Sequence, residues 1–119
     1  MSTLKADTIQ NTSGGAVTLT NQSAAKAWVR YSHVTFGINS SFNTSSITDN
    51  ATGDATVALT NAMSDTTFAV VTGIYALTSV DYNIGYVVAS TSNYDLHASS
   101  GTSAVDTFNN TGSTLGDLA

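Results

Sequence analysis

Two histidines, eight aspartates, no glutamate and no cysteine are the whole supply of imidazole, carboxylate and thiol groups in this 119-residue chain. His33 and His97 each lie in an alternating segment whose neighbours point the other way, so both are expected to face solvent. Asp95 stands two residues before His97, on the same strand face, which is the spacing of a surface contact. Acid–base catalysis would also need a substrate pocket, and no nucleophile–base pattern accompanies the pair. The carboxylates Asp7, Asp49, Asp54, Asp65, Asp81, Asp95, Asp106 and Asp117 are scattered along the chain. The expectation is a protein that is not an enzyme.

Asp49-Asn50-Ala51-Thr52-Gly53-Asp54 is the one stretch that offers oxygen ligands in number, with Asp49, Asn50 and Asp54 as weak calcium candidates. It lacks the closing bidentate Glu and the alternate acidic spacing of a calcium loop. Asx-turn chemistry accounts for the same residues without an ion. No cofactor is expected, and Gly14-Gly15 reads as a turn rather than a phosphate loop. The single Trp28 is a core plug, a glycan platform or a subunit contact, and the last is the reading adopted, as a trimer contact. Tyr75, Tyr82, Tyr86 and Tyr94 join an apolar ring to a polar tip and are candidates for receptor or glycan contact; packing inside a sheet is the competing role.

The elements that would position these groups are strands. Ser, Thr and Asn make up roughly two-fifths of the chain while charged residues are 9%, far below the usual quarter. Thr and the β-branched and aromatic residues suit strands, and Asn, Ser and Gly suit turns. With Glu absent and three Lys and Arg in all, long helices lack their usual formers. Leu4–Gln10 and Ala16–Thr20 read as a hairpin arm about Gly14-Gly15, and Asn21–Ala27 as a short helical connector. Trp28–Tyr31 continues to Val34, Phe36 and Ile38 on one face, followed by a polar stretch from Asn39 to Ser46. After the Asp49–Asp54 turn, Ala55, Val57 and Leu59 alternate, and 61–67 is a loop. Phe68–Leu77 is the most apolar run and the expected central strand. Tyr82, Ile84, Tyr86 and Val88 share a face, as do Tyr94, Leu96 and Ala98, with a turn at Thr91–Asn93 between them. Ser103–Phe108 is a weaker last strand and Asn109–Ala119 a loosely held tail. The sum is an all-β fold, an antiparallel β-sandwich or small barrel of about seven strands.

A net charge of −5 argues against nucleic acid, which calls for clustered Lys and Arg. No apolar run approaches the roughly 18 residues of a membrane-spanning helix, so no membrane insertion is expected. The residues after Met1 form no apolar signal region, so no secretory leader is expected. A domain this small leaves much of its surface uncovered, and contact between subunits would relieve that.

The opening residues, Met-Ser-Thr-Leu-Lys-Ala-Asp-Thr-Ile-Gln-Asn-Thr-Ser-Gly-Gly followed by Ala-Val-Thr-Leu-Thr-Asn-Gln-Ser-Ala-Ala-Lys-Ala-Trp-Val, resemble the start of bacteriophage tail-fibre and related virion proteins of marine phages. Phe42–Asp54 and Thr60–Val70 are similar to later stretches of the same family, so the resemblance covers residues 1 to about 71. It implies a homotrimer in the virion, made in the host bacterial cytoplasm, with an N-terminal arm (1–26) and a sandwich head (27–119). Leu4, Thr8, Ile9, Val17 and Leu19 would form the virion anchor. The partners implied are other virion proteins of tail or capsid, and a glycan or protein of the host surface. The long shaft of many such fibres is missing, which favours a short fibre or spike subunit concerned with host adsorption. A capsid decoration or head-fibre protein that stabilises the shell, and a carbohydrate-binding module, are the alternatives.

Overall fold

The computed structural model describes residues 12–13, 25–75 and 82–119. The described residues contain no helix and fold as two packed antiparallel sheets built from nine strands. These are β1 (Ala27–Ser32), β2 (Gly37–Phe42), β3 (Thr44–Ala51), β4 (Asp54–Leu59), β5 (Ala69–Tyr75), β6 (Tyr82–Ser90), β7 (Asn93–Ser100), β8 (Ser103–Ala104) and β9 (Asn109–Leu115). One sheet runs in the order β2-β1-β9-β5; the other runs β3-β4-β7-β6, with β8 paired to β7. The all-β sandwich expected from composition is therefore the fold.

Alternation sets the inner faces. Ala55, Val57 and Leu59 on β4, and Tyr94, Leu96 and Ala98 on β7, point inward as their period of two requires. Opposite them lie Ala27, Val29 and Tyr31 of β1 and Val70 of β5. Met63 and Phe68 close one end of the core from the loop after β4, Phe68 meeting the Tyr94 ring edge-on at 6.4 Å. Burial pushes the hydroxyls of Tyr31 and Tyr94 well above the ordinary phenol range, so both stay neutral.

Several sequence expectations are corrected. The supposed tail is the strand β9, which lies between β1 and β5 in the middle of its sheet. Its end is tied down by Ser64 N–H to Asp117 O (2.8 Å), Ala119 N–H to Ala62 O (3.0 Å) and a bridge between Met63 and Leu118. Phe68–Leu77, expected at the centre, supplies β5 at the sheet's margin, because apolar residues on both of its faces do not mean that both are buried. Val34, Thr35 and Phe36, expected on a strand, form the β1–β2 turn, with Phe36 at φ 30°. The polar stretch Asn39–Ser46, for which the sequence predicts no element, supplies the end of β2, the corner at Asn43 and the start of β3. Strand is confined to Ser103–Ala104 in the segment 103–108. In the expected helical connector, residues 21–24 lie outside the described residues. Ala25 and Lys26 are not helical; Lys26 N–H already bonds Thr114 O at 2.8 Å, and Ala27 opens β1. The arm strands Leu4–Gln10 and Ala16–Thr20, with the anchor residues Leu4, Thr8, Ile9, Val17 and Leu19, also lie outside the described residues.

Asn43 makes the passage between sheets. Its backbone takes a positive φ of 52°, a conformation that Asn tolerates better than most residues. Its side-chain amide donates to Lys26 O (3.1 Å) and Asn61 O (3.2 Å), and its side-chain oxygen accepts from Asn61 N–H (2.7 Å). One side chain thus joins the start of β1, the β2–β3 corner and the loop after β4.

Candidate functional site: the outer face of the four-stranded sheet

The two outer faces differ in charge, and strand register shows how. Arg30 is the one charged residue on β1, β2, β5 and β9, whereas β4 and β7 carry Asp54 and Asp95 on their outward side; Asp49 of β3 pairs with the inward-facing Ala55. On the first sheet, Phe42 pairs with Trp28, Trp28 with Ser113 and Ser113 with Val71, so these four stand in one row across the outer face. Phe42, Trp28 and Val71 are 53%, 38% and 57% exposed. The adjacent row, one same-face step along the strands, is Ser40, Arg30, Thr111 and Gly73. A groove of about 300 Å³ opens there, lined by Arg30, Gly73, Ile74, Asn109 and Thr111. The side-chain oxygen of Asn109 accepts from Nε (3.3 Å) and Nη2 (2.9 Å) of Arg30 and holds the guanidinium in place.

The opposite outer face is a polar lattice. Asn50 donates its amide N–H groups to Asp54 Oδ1 (3.3 Å) and Thr56 Oγ1 (2.9 Å), and the Thr56 hydroxyl donates to Asp95 Oδ1 (2.5 Å). His97 is exposed, as expected, but its Nδ1 lies 3.5 Å from Asp54 across the strands rather than engaging Asp95. Of the calcium candidates, Asn50 and Asp54 meet through their hydrogen bond, while Asp49 pairs with Ala55; among the described residues, no three imidazole or carboxylate groups gather in a metal-holding arrangement.

Of the other candidates, Trp28 is exposed on the apolar row and Tyr82 is half-buried on β6. Tyr75 ends β5 beside Asn109, and its side chain lies outside the described residues. Tyr94 is corrected: at 0% exposure it belongs to the core and cannot touch a receptor. His33 is corrected too, being 4% exposed. It sits in the β1–β2 turn rather than mid-strand, so alternation does not govern it. Its Nδ1 faces the Asn110 amide at 3.0 Å and its Nε2 the Tyr31 hydroxyl at 3.4 Å. The Thr107 hydroxyl donates to Asn110 Oδ1 (2.5 Å), which turns the amide N–H toward the ring. Nδ1 is therefore the acceptor, and the neutral ring carries its proton on Nε2. Burial lowers the His33 pKa and outweighs the opposing pull of Asp106, Asp49 and Asp54.

Sequence reasoning missed Arg30 and the partners of Trp28. Arg30 is one of three cations and stands two residues after the sole Trp, so the two share a strand face. Phe42 and Val71 join them through pairing register, which no local pattern announces. The fold and this face define a two-sheet β-sandwich with one outer surface that is partly apolar and whose strands carry no carboxylate among the described residues. No family model matches the chain, and no curated protein or solved structure matches it either.

Proposed function

We propose that this chain is a bacteriophage virion structural protein, a short homotrimeric fibre or spike subunit involved in host adsorption, with no catalytic role. The observation that carries the reading is the row Phe42–Trp28–Ser113–Val71, in which Phe42, Trp28 and Val71 are exposed apolar side chains, on a sheet face whose strands carry no carboxylate among the described residues. Sister subunits are its occupant: large apolar groups are seldom lined up on the open face of a free domain, and copies of the row Phe42–Trp28–Ser113–Val71, which itself holds no charged residue, cover one another while Arg30 stays at its rim. The resemblance of residues 1–71 to phage fibre proteins supports the same reading and supplies the trimer, the N-terminal attachment to the virion and the host-facing role.

Sedimentation of the full chain at micromolar concentration tests the assembly. A species of three chains is expected, and Val71→Asp, which places a carboxylate in the row, should shift it to single chains with an unchanged far-ultraviolet spectrum. A wild-type chain that sediments as a monomer throughout would remove the basis of the proposal. Deletion of residues 1–15 should abolish incorporation into particles while the sandwich stays folded; normal incorporation of the shortened chain would refute the anchor.

A further inference from the structure

Arg30 has no carboxylate partner among the described residues. This is unusual in a chain of net charge −5, where eight aspartates compete for three cations. Its guanidinium is nevertheless fixed. Asn109 takes the Nε–H and one Nη2–H, leaving both Nη1 protons and one Nη2 proton without a partner among the described residues. That remaining edge is a fork matched to the two oxygens of a carboxylate, and it is set before any ligand arrives.

The surroundings add a floor and a wall. Gly73 keeps the groove open, since a β-carbon there would come within 2.8 Å of Thr111 Oγ1. The Thr111 hydroxyl, 3.3 Å from the Gly73 carbonyl, and the Asn109 amide offer polar contacts along the groove. A volume of about 300 Å³ is at the small end of ligand sites and suits one sugar ring. Asp54 and Asp95 stand on the outer face of the other sheet, so an approaching anion is steered away from that face and toward this one.

We infer that the groove beside Arg30 is a binding site for a carboxylate-bearing sugar, with Arg30 gripping the carboxylate and Asn109 as its positioning residue. The choice of a surface sugar, as opposed to a free organic acid, rests on the host-facing reading above. The fork and groove stand without it. The site adjoins the apolar row proposed to meet sister subunits, so it lies at the rim of that contact.

The test is amide nuclear magnetic resonance on the full chain, titrated separately with D-glucuronate, D-glucose and inorganic phosphate. Glucuronate should shift the Arg30, Gly73 and Thr111 signals with roughly millimolar affinity, while glucose and phosphate at equal concentration leave them in place. Arg30→Gln should weaken glucuronate binding about tenfold or more with the rest of the spectrum unchanged. Arg30→Lys, which keeps the charge but loses the fork, should fall between. The inference is overturned by an absence of shifts with glucuronate, by equal binding to wild type and Arg30→Gln, or by phosphate binding as tightly as glucuronate. Sedimentation of the same samples separates the two readings. A trimer that ignores glucuronate refutes the site alone, whereas a monomer that binds it refutes the assembly and supports the site.

Discussion

Tyr94 and Gly112 meet across the core, the Tyr94 hydroxyl oxygen standing 2.8 Å from the place a β-carbon on Gly112 would take. That hydroxyl is fully buried and has no hydrogen-bond partner among the described residues. Gly112 thus admits a ring whose polar tip gains nothing from its position. Gly112→Ala should cost about 1–3 kcal/mol through overpacking. Tyr94→Phe should be neutral or stabilising by up to about 1 kcal/mol, because it deletes an unsatisfied group and keeps the ring. Combined, the two should destabilise less than their sum, since the second removes the atom the first collides with. Urea denaturation of the four proteins of this cycle measures the coupling; strict additivity would contradict the packing described.

The same contact explains why β9 was invisible in the sequence. Its inward positions are Asn110, Gly112 and Thr114, none of them apolar. Asn110 is satisfied by Thr107 and His33, Gly112 leaves space for Tyr94, and the Thr114 hydroxyl faces Ala27 O at 3.5 Å. Periodicity finds strands through apolar side chains, and here a polar network occupies the core side instead. β4 and β7, whose inward rows are Ala55-Val57-Leu59 and Tyr94-Leu96-Ala98, were legible for the converse reason. β2 and β3 lie at the ends of their sheets and show little buried apolar surface, so they read as a polar stretch. Of the candidate site, Trp28 could be picked from its type alone. Its neighbours Phe42 and Val71 are 14 and 43 residues away in sequence and became visible only through register.

A central β9 has a consequence for local stability. Amide hydrogen exchange should protect Thr111–Thr114 as strongly as the core strands, and far more than a fraying terminus. Removing residues 109–119 should unfold the sandwich by exposing the paired edges of β1 and β5. Rapid exchange across 109–115 would restore the loosely held tail.

The buried His33 makes stability depend on pH. Its folded pKa lies below the unfolded value of about 6.5, so the unfolded chain binds the additional proton and protonation opposes folding. The stabilising contribution is complete above about pH 6.5 and is lost as pH falls through the folded pKa. Protonation at Nδ1 would set an N–H against the Asn110 amide, so the network itself resists it. The urea midpoint should therefore drop between about pH 7 and about pH 5, and His33→Gln, which has no titrating ring, should flatten that interval. Asp65 acts in a lower range. Its carboxylate accepts from the Thr67 hydroxyl and backbone N–H, which lowers its pKa, so that contribution is lost only on further acidification.

Two turn glycines separate backbone strain from steric enclosure. Gly53 and Gly101 have φ of 69° and 60°, a region that disfavours side chains in both cases. A β-carbon on Gly101 would meet open space, whereas one on Gly53 would strike Ala98 O and lie 2.8 Å from Val105 N. Gly53 is also clasped by its own hydrogen bonds, its N–H donating to Asp106 Oδ1 (2.7 Å) and its carbonyl accepting from Ala98 N–H (2.7 Å). Gly101→Ala should thus cost about 1 kcal/mol, the conformational share alone. Gly53→Ala adds a backbone collision that no rotamer relieves, for a total of about 2–4 kcal/mol. Thermal or urea denaturation of the pair decides the matter, because equal losses at the two positions would mean that the packing of Val105 and Ala98 against the β3–β4 turn contributes nothing.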